Sequence, residues 1–264
     1  MKTNLTKIVR YGIQAFTTKR IKDKKIFFLH IPKCGGTSLQ NAIMCCYGPF
    51  DRVLRRHWVR LDGGAAGRVG KALDKDKREV VEDLLLYYMN IPEIKFIYGH
   101  VFFSEKVFRE AGDEWKFITV LREPVAKWFS AYYFGKYYKG PFRYRRITEE
   151  LPEFLETQRA VNLGCDYIKR VVDPGEFEDC SSNLAINSAI KRLEKFQLVG
   201  ILEKMDDTLN QFERVFESRP KIFKDNKGPV SKKKSQEVSN EISEKVEKLC
   251  EPNKKIYEHF HSRV

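Results

Sequence analysis

Four short apolar runs punctuate the chain at Ile26–Ile31, Phe96–Tyr98, Phe117–Leu121 and Phe196–Ile201. Each is continuous rather than alternating, the pattern of a strand covered on both faces and therefore of a parallel sheet between helices. Between the runs the period lengthens. Leu39, Ala42, Ile43 and Cys46 recur at i, i+3, i+4 and i+7, and Val125, Trp128, Phe129 and Tyr132 repeat that spacing just after Pro124, a residue suited to the first position of a helix. Further helices are expected at Glu79–Tyr88, Ser182–Glu194, Lys204–Glu217 and Glu237–Leu249. The alternation predicts an α/β fold, a layered domain with a central parallel sheet.

Three stretches break the alternation. Residues 47–78 contain the basic, glycine-rich "RRHWVRLDGGAAGRVGK"; residues 136–146 read "KYYKGPFRYRR"; and "KDNKGPVSKKKS" spans 224–235. All three read as loops. Without repeats, low-complexity tails or a linker, residues 1–264 are expected to form one domain, with 1–23 as a peripheral N-terminal helix through Ile8, Val9, Ile13 and Phe16.

Charge narrows the partners. Lys and Arg number 49 against 36 Asp and Glu, a formal 49 − 36 = +13, which favours an anionic ligand: nucleic acid, a membrane surface, an acidic polysaccharide or a phosphorylated small molecule. No stretch reaches the roughly 20 apolar residues of a membrane span, and the first twenty residues lack the apolar block of a signal peptide. The six cysteines form no CxxC pair, and no HExxH or Asp-rich cluster suggests a metal. The expectation is a cytoplasmic protein with reduced thiols, or a Golgi-lumen protein if an anchor has been removed.

The chemistry concentrates in "KKIFFLHIPKCGGTSLQNAI", Lys24–Ile43. A strand entering a glycine-containing loop and then a helix presents backbone N–H groups and a positive helix end to an anion. Gly35 and Gly36 allow close approach, Thr37 and Ser38 add hydroxyl donors, and Lys33 adds a full charge. The order of residues departs from the Walker A pattern, in which lysine stands directly before the hydroxyl residue. Here Lys33 precedes both glycines, which disfavours a magnesium nucleotide.

The segment His30–Ser38 resembles the first signature of the P-loop sulfotransferases, in the branch that includes carbohydrate enzymes acting on glycosaminoglycans; Cys34 stands where that signature more often has threonine. The resemblance implies an α/β three-layer sandwich with a central parallel sheet, of the P-loop nucleotide-binding type, in which Lys33, Cys34, Gly35, Gly36, Thr37 and Ser38 hold the 5′-phosphosulfate end of PAPS (3′-phosphoadenosine 5′-phosphosulfate), with PAP as product and no metal required. A second strand–turn–helix, "FITVLREPVAKWFSAYYFGK" from Phe117 to Lys136, places Arg122 at a strand's carboxyl end, with Ser130 eight residues later. It resembles the same family's 3′-phosphate motif, implying that Arg122 and Ser130 hold that phosphate. Lys227 and the lysines at 232–234 are candidates to close over the nucleotide, and "NKKIYEHF" (Asn253–Phe260) resembles the family's chain end.

Transfer to a hydroxyl needs a base. Of five histidines, His30 sits in the first run and reads as structural, His57 falls in the basic segment where it is a candidate for substrate contact, and His259 and His261 read as solvated. His100 follows the strand "KFIYG" and should emerge at the sheet's carboxyl edge, where a histidine suits general-base work. "YGHVFF" (Tyr98–Phe103) also resembles the Gly-His segment of glycosaminoglycan sulfotransferases, implying His100 as catalytic base and Lys33 as the cation on the leaving phosphate. A glutamate is the rival base. The expected function is PAPS-dependent sulfation of a hydroxyl acceptor, a saccharide or glycan, with no nucleic-acid partner. The alternatives are a nucleic-acid-binding protein and a P-loop kinase.

Overall fold

The structure, a computed structural model, describes residues 19–21, 23–48, 57–140, 146–222 and 238–264. Its elements run β1 (Lys25–Leu29), α1 (Gly36–Tyr47), β2 (Trp58–Leu61), α2 (Gly63–Leu73), α3 (Lys77–Met89), β3 (Phe96–Gly99), α4 (Glu105–Ala111), β4 (Trp115–Leu121), α5 (Pro124–Lys136), α6 (Leu151–Leu155), α7 (Gln158–Gly164), α8 (Asp166–Val171), α9 (Asn183–Leu193), β5 (Leu198–Ile201), α10 (Met205–Phe216) and α11 (Asn240–His261). The proposed N-terminal helix, residues 141–145 and the lysine-rich loop with Lys227 and 232–234 lie outside the described residues.

Five strands pair in the order β2-β3-β1-β4-β5, and every pairing is parallel. β1 shows why its run is continuous. Phe27 and Leu29 project into one core, with α3, α4, α8, α9 and α11; Ile26 and Phe28 project into the other, with α1 and α10. Two cores on opposite faces make three layers. Burying each such side chain contributes roughly 1.5–3 kcal/mol, so a strand with two wet faces would forfeit most of its stabilisation. A third apolar cluster forms away from the sheet, where Trp128 and Tyr132 of α5 meet Phe154, Ala160, Val246 and Cys250.

β1 is flanked by β3 and β4, and strand order changes direction there. Such a switch point opens a crevice at the carboxyl ends of the strands. The loops leaving these three neighbours carry Lys33, His100 and Arg122, so the topology gathers them at one edge of the sheet.

The segment read as a basic interruption holds β2 and α2 instead. β2 is a short, half-exposed edge strand, so its pattern is weak. α2 carries Gly63, Gly64, Gly67 and Gly70, each unfavourable in a helix by roughly 0.8–1 kcal/mol relative to alanine. Tertiary crowding outweighs propensity there: a Cβ on Gly63 would lie 2.6 Å from the His100 carbonyl oxygen, and one on Gly70 2.6 Å from that of Lys75. The legible start signal was Asp62, whose carboxylate accepts from the Gly64 and Ala65 N–H groups, both at 2.9 Å. The C-terminal helix also exceeds its expected end at Leu249, continuing through Pro252 to His261. Burial of Cys250, Asn253, Ile256 and Phe260 holds it helical past the proline.

Candidate active site

The chain leaves β1 at His30, turns through Lys33 at φ +69° and Gly35 at φ +72°, and enters α1 at Gly36. Left-handed backbone is unfavourable for a lysine, and a hydrogen bond across the crevice holds it: the Arg122 guanidinium donates to the Lys33 carbonyl at 3.1 Å. Gly36 packs on the His30 ring so closely that a Cβ there would sit 2.2 Å from Cδ2. At Gly35 a Cβ would lie 2.5 Å from Leu202 Cδ1. Gly36 is therefore required by contact and Gly35 by its left-handed backbone, independently of any ligand.

The start of α1 is electrostatically open. Gly35 at the N-cap offers no side-chain acceptor, and no acidic residue occupies the first turn. The first N–H groups of a helix lack intrahelical acceptors, so this end attracts an anion. Thr37 is exposed and Ser38 half-buried beside them. The Lys33 ammonium lies 4.2 Å from the centroid of the Phe134 ring. Burial, and after it the nearby Arg122 charge, push its pKa down from the ordinary lysine value.

Cys34 turns its side chain away from the crevice. The thiol is 1% exposed and faces Pro32 O at 3.7 Å and the Tyr167 hydroxyl at 3.9 Å. Burial raises its pKa to about 12. Any role in holding a donor falls to its backbone.

Arg122 follows β4 and does not pair with Glu123, which serves as the cap of α5. Among the described residues, a single buried side-chain nitrogen or oxygen lacks a hydrogen-bond partner, and it is Arg122 Nε. Leaving a charged donor unsatisfied costs about 1–3 kcal/mol or more, so the guanidinium is suited to an anion in the crevice. Ser130 is half-buried on α5, one turn before Phe134.

His100 follows β3, level with His30 through the Leu29–Gly99 register. The two rings lie 4.4 Å apart. His100 Nδ1 is 2.8 Å from the His30 carbonyl. A carbonyl only accepts, so Nδ1 carries the proton and Nε2 of the neutral ring keeps the lone pair. His100 does not cap the next helix; Ser104 does, through the Val107 N–H. His30 is 7% exposed, bonded to Gln40 at 3.1 Å, and held neutral, its pKa lowered to about 3 first by burial and then by the neighbouring His100.

The other histidines differ from expectation. His57 precedes β2 at the amino end of the sheet, with Nδ1 3.0 Å from the Glu93 carbonyl, away from the crevice. His259 is bound to Glu194 at 2.9 Å rather than solvated, and His261 rests against the Tyr257 ring at 5.2 Å. The carboxylates at the edge are engaged too. Glu123 accepts from Val125 at 2.9 Å and Ala126 at 2.6 Å, and Glu203 accepts from Glu123 N–H and the Tyr257 hydroxyl.

Several residues at this edge carried no motif signal. Tyr167 and Lys127 are fully or nearly fully buried beneath the crevice, and Lys127 pairs with Asp166 at 2.8 Å. Beside His100, Phe102 lies under Lys77 at 4.9 Å, Arg78 at 4.3 Å and Arg170 at 5.5 Å. A lysine within the apolar face "VAKW" was the one available hint of the buried pair. Among the described residues no group of three or more His, Cys, Asp or Glu could hold a metal, and no helix is long and apolar enough to cross a membrane.

The chain was compared with known proteins. No curated protein matches it. Similar solved structures include mouse sulfotransferase SULT7A1 complexed with PAP, 15% identical over 90% of this chain and 68% of that one, with TM-score 0.40. Another is the shikimate kinase of Bacteroides thetaiotaomicron, 12% identical over 74% of this chain and 98% of that one, with TM-score 0.38. Superpositions this loose carry no weight for the chemistry. The model of the sulfotransferase family, by contrast, matches residues 17–262 and spans both signatures. With that match and the open anion cradle between β1 and α1, the chain belongs to the sulfotransferase family and is a PAPS-dependent sulfotransferase.

Proposed function

We propose that the acceptor is a hydroxyl of a saccharide or glycan, that His100 is the general base and that Lys33 stabilises the leaving phosphate. PAPS supplies the sulfuryl group and departs as PAP. Lys33, the N–H groups of Gly35 to Thr37 and the Thr37 and Ser38 hydroxyls hold the 5′ end, and Arg122 with Ser130 holds the 3′-phosphate. His100 Nε2 takes the hydroxyl proton as the acceptor oxygen attacks sulfur, and the Lys33 ammonium meets the negative charge that develops on the phosphate side. Positioning and preorganised charge supply the acceleration, so the reading needs no metal.

The observation that carries the assignment is the His100 tautomer: the His30 carbonyl ties Nδ1–H and leaves Nε2 with the lone pair, one strand away from the Lys33 loop. It is favoured over a glutamate base because Glu123 and Glu203 are engaged in structural bonds. The saccharide assignment is supported by Phe102 with Lys77, Arg78 and Arg170 beside His100. Lys77 has no carboxylate partner among the described salt bridges, whereas Arg78 pairs with Asp173 at 2.9 Å and Arg170 with Asp166 at 3.2 Å. An aromatic face beside a lysine that lacks a direct salt bridge suits a sugar ring with an acidic group.

The test is transfer of radiolabelled sulfate from PAPS to a panel of glycans, phenols and lipids, with and without EDTA. Labelling of glycans that survives EDTA is the expected result. Labelling confined to phenols or lipids would overturn the saccharide assignment, and loss of transfer in EDTA would overturn the metal-free mechanism. Stabilisation by polynucleotide at low salt, with none by PAP, would return the nucleic-acid reading.

A further inference from the structure

Helix α8 packs against the loops that leave β1, β3 and β4. Tyr167 is fully buried there, and its hydroxyl serves both polar backbone groups of one residue: it accepts from the Arg122 N–H at 2.9 Å and donates to the Arg122 carbonyl. The same oxygen lies 3.9 Å from Cys34 Sγ in the β1–α1 loop. The tyrosine is itself held, since its N–H donates to the buried Asn253 side chain at 3.2 Å and its ring lies 5.2 Å from the Lys127 ammonium. On either side of it, Asp166 binds Lys127 at 2.8 Å and Arg170 at 3.2 Å, and the Arg170 carbonyl accepts from Phe103 N–H at 2.8 Å.

Arg122 needs such a clamp because it lies one residue past the sheet. The β4–β5 register ends at Leu121 with Ile201, so no strand ladder fixes the backbone of the next residue. A guanidinium reads a phosphate by the direction of its donors, and that direction is inherited from the backbone that carries it. We infer that Tyr167 is a positioning residue that aims Arg122, and that the enzyme's preference for nucleotides bearing a 3′-phosphate depends on its hydroxyl. The inference rests on the PAPS reading.

The experiment is calorimetric titration of the full chain and of Tyr167→Phe with PAP and with adenosine 5′-monophosphate, which lacks only the 3′-phosphate. Wild type is expected to prefer PAP. In Tyr167→Phe, PAP affinity should fall by about 10- to 100-fold, the worth of one charge-assisted hydrogen bond. Adenosine monophosphate should bind as before. Arg122→Ala added to Tyr167→Phe should then weaken PAP far less than it does alone. If Tyr167→Phe weakens both nucleotides equally, or neither, the inference is overturned. A wild type without preference for PAP overturns the donor reading itself. Should Tyr167→Phe fail to fold, Asn253→Ser loosens only the tyrosine backbone and should shift the same ratio by a smaller factor; an unchanged ratio overturns the inference.

Discussion

The helices α1 and α5 both start where a parallel strand turns at the carboxyl edge, yet one start is open and the other closed. α1 begins at Gly35 with no side-chain cap and no acid in its first turn. α5 begins at Glu123, whose two oxygens accept from Val125 and Ala126. The first helix leaves its N–H groups for an anion from outside; the second carries its own. In the second signature the helix end is satisfied internally, and it is the Arg122 side chain that keeps a donor, Nε, without a partner. One strand–turn–helix pattern thus gives two helix starts of different electrostatics, and the residue at the N-cap decides between them.

Removing the charge from the open end should have the largest effect. Lys33→Ala is expected to lower turnover by about a thousandfold, the scale of losing one preorganised transition-state donor, as measured by single-turnover sulfate transfer. His100→Ala should follow at about a hundredfold, with PAP affinity by titration unchanged; turnover near wild type would remove the base assignment.

Acid should also weaken the open end. The His30 ring packs under Gly36 and refuses a proton down to about pH 3, while the unfolded chain takes one up near 6.5. Stability is therefore expected to be fully present above 6.5 and to fall by up to about 1.4 kcal/mol per pH unit below it. Asp166, its pKa lowered from 3.8 to about 2 by the Lys127 and Arg170 charges despite burial, adds a loss only below 3.8. Denaturant melts across pH 4–7 should flatten in His30→Gln, and an unchanged slope would show that another group titrates.

Two smaller changes address the comparison directly. Thr37→Asp places a carboxylate in the first turn of α1 and should weaken PAP by about tenfold through repulsion, an effect that salt reduces. Glu123→Gln should lower stability by about 1 kcal/mol through the weakened cap while altering PAP affinity little. Equal responses of PAP binding to the two substitutions would erase the distinction between the helix starts.

The chain by itself determined that there would be a parallel sheet, because runs such as Phe27–Leu29 and Phe117–Leu121, the latter apolar but for Thr119, need two covers. It also marked the β1–α1 junction by its glycine pair, lysine and hydroxyls, although the backbone turn and the His30 ring already select the two glycines. It did not reveal α2, where contacts with the backbone of His100 and Lys75 select glycine against helix propensity. It did not show which way the Cys34 side chain points, and the thiol turns into the core. Nor did it mark Tyr167 or Lys127, which lie 45 and 39 residues from the groups they hold. Local pattern reports which backbone shape a segment prefers and which face it must bury. The clamp on Arg122, the proton on His100 Nδ1 and the orphaned guanidinium nitrogen depend on groups from distant segments meeting within hydrogen-bond reach, and only the folded packing of strands β3, β1 and β4 brings them there.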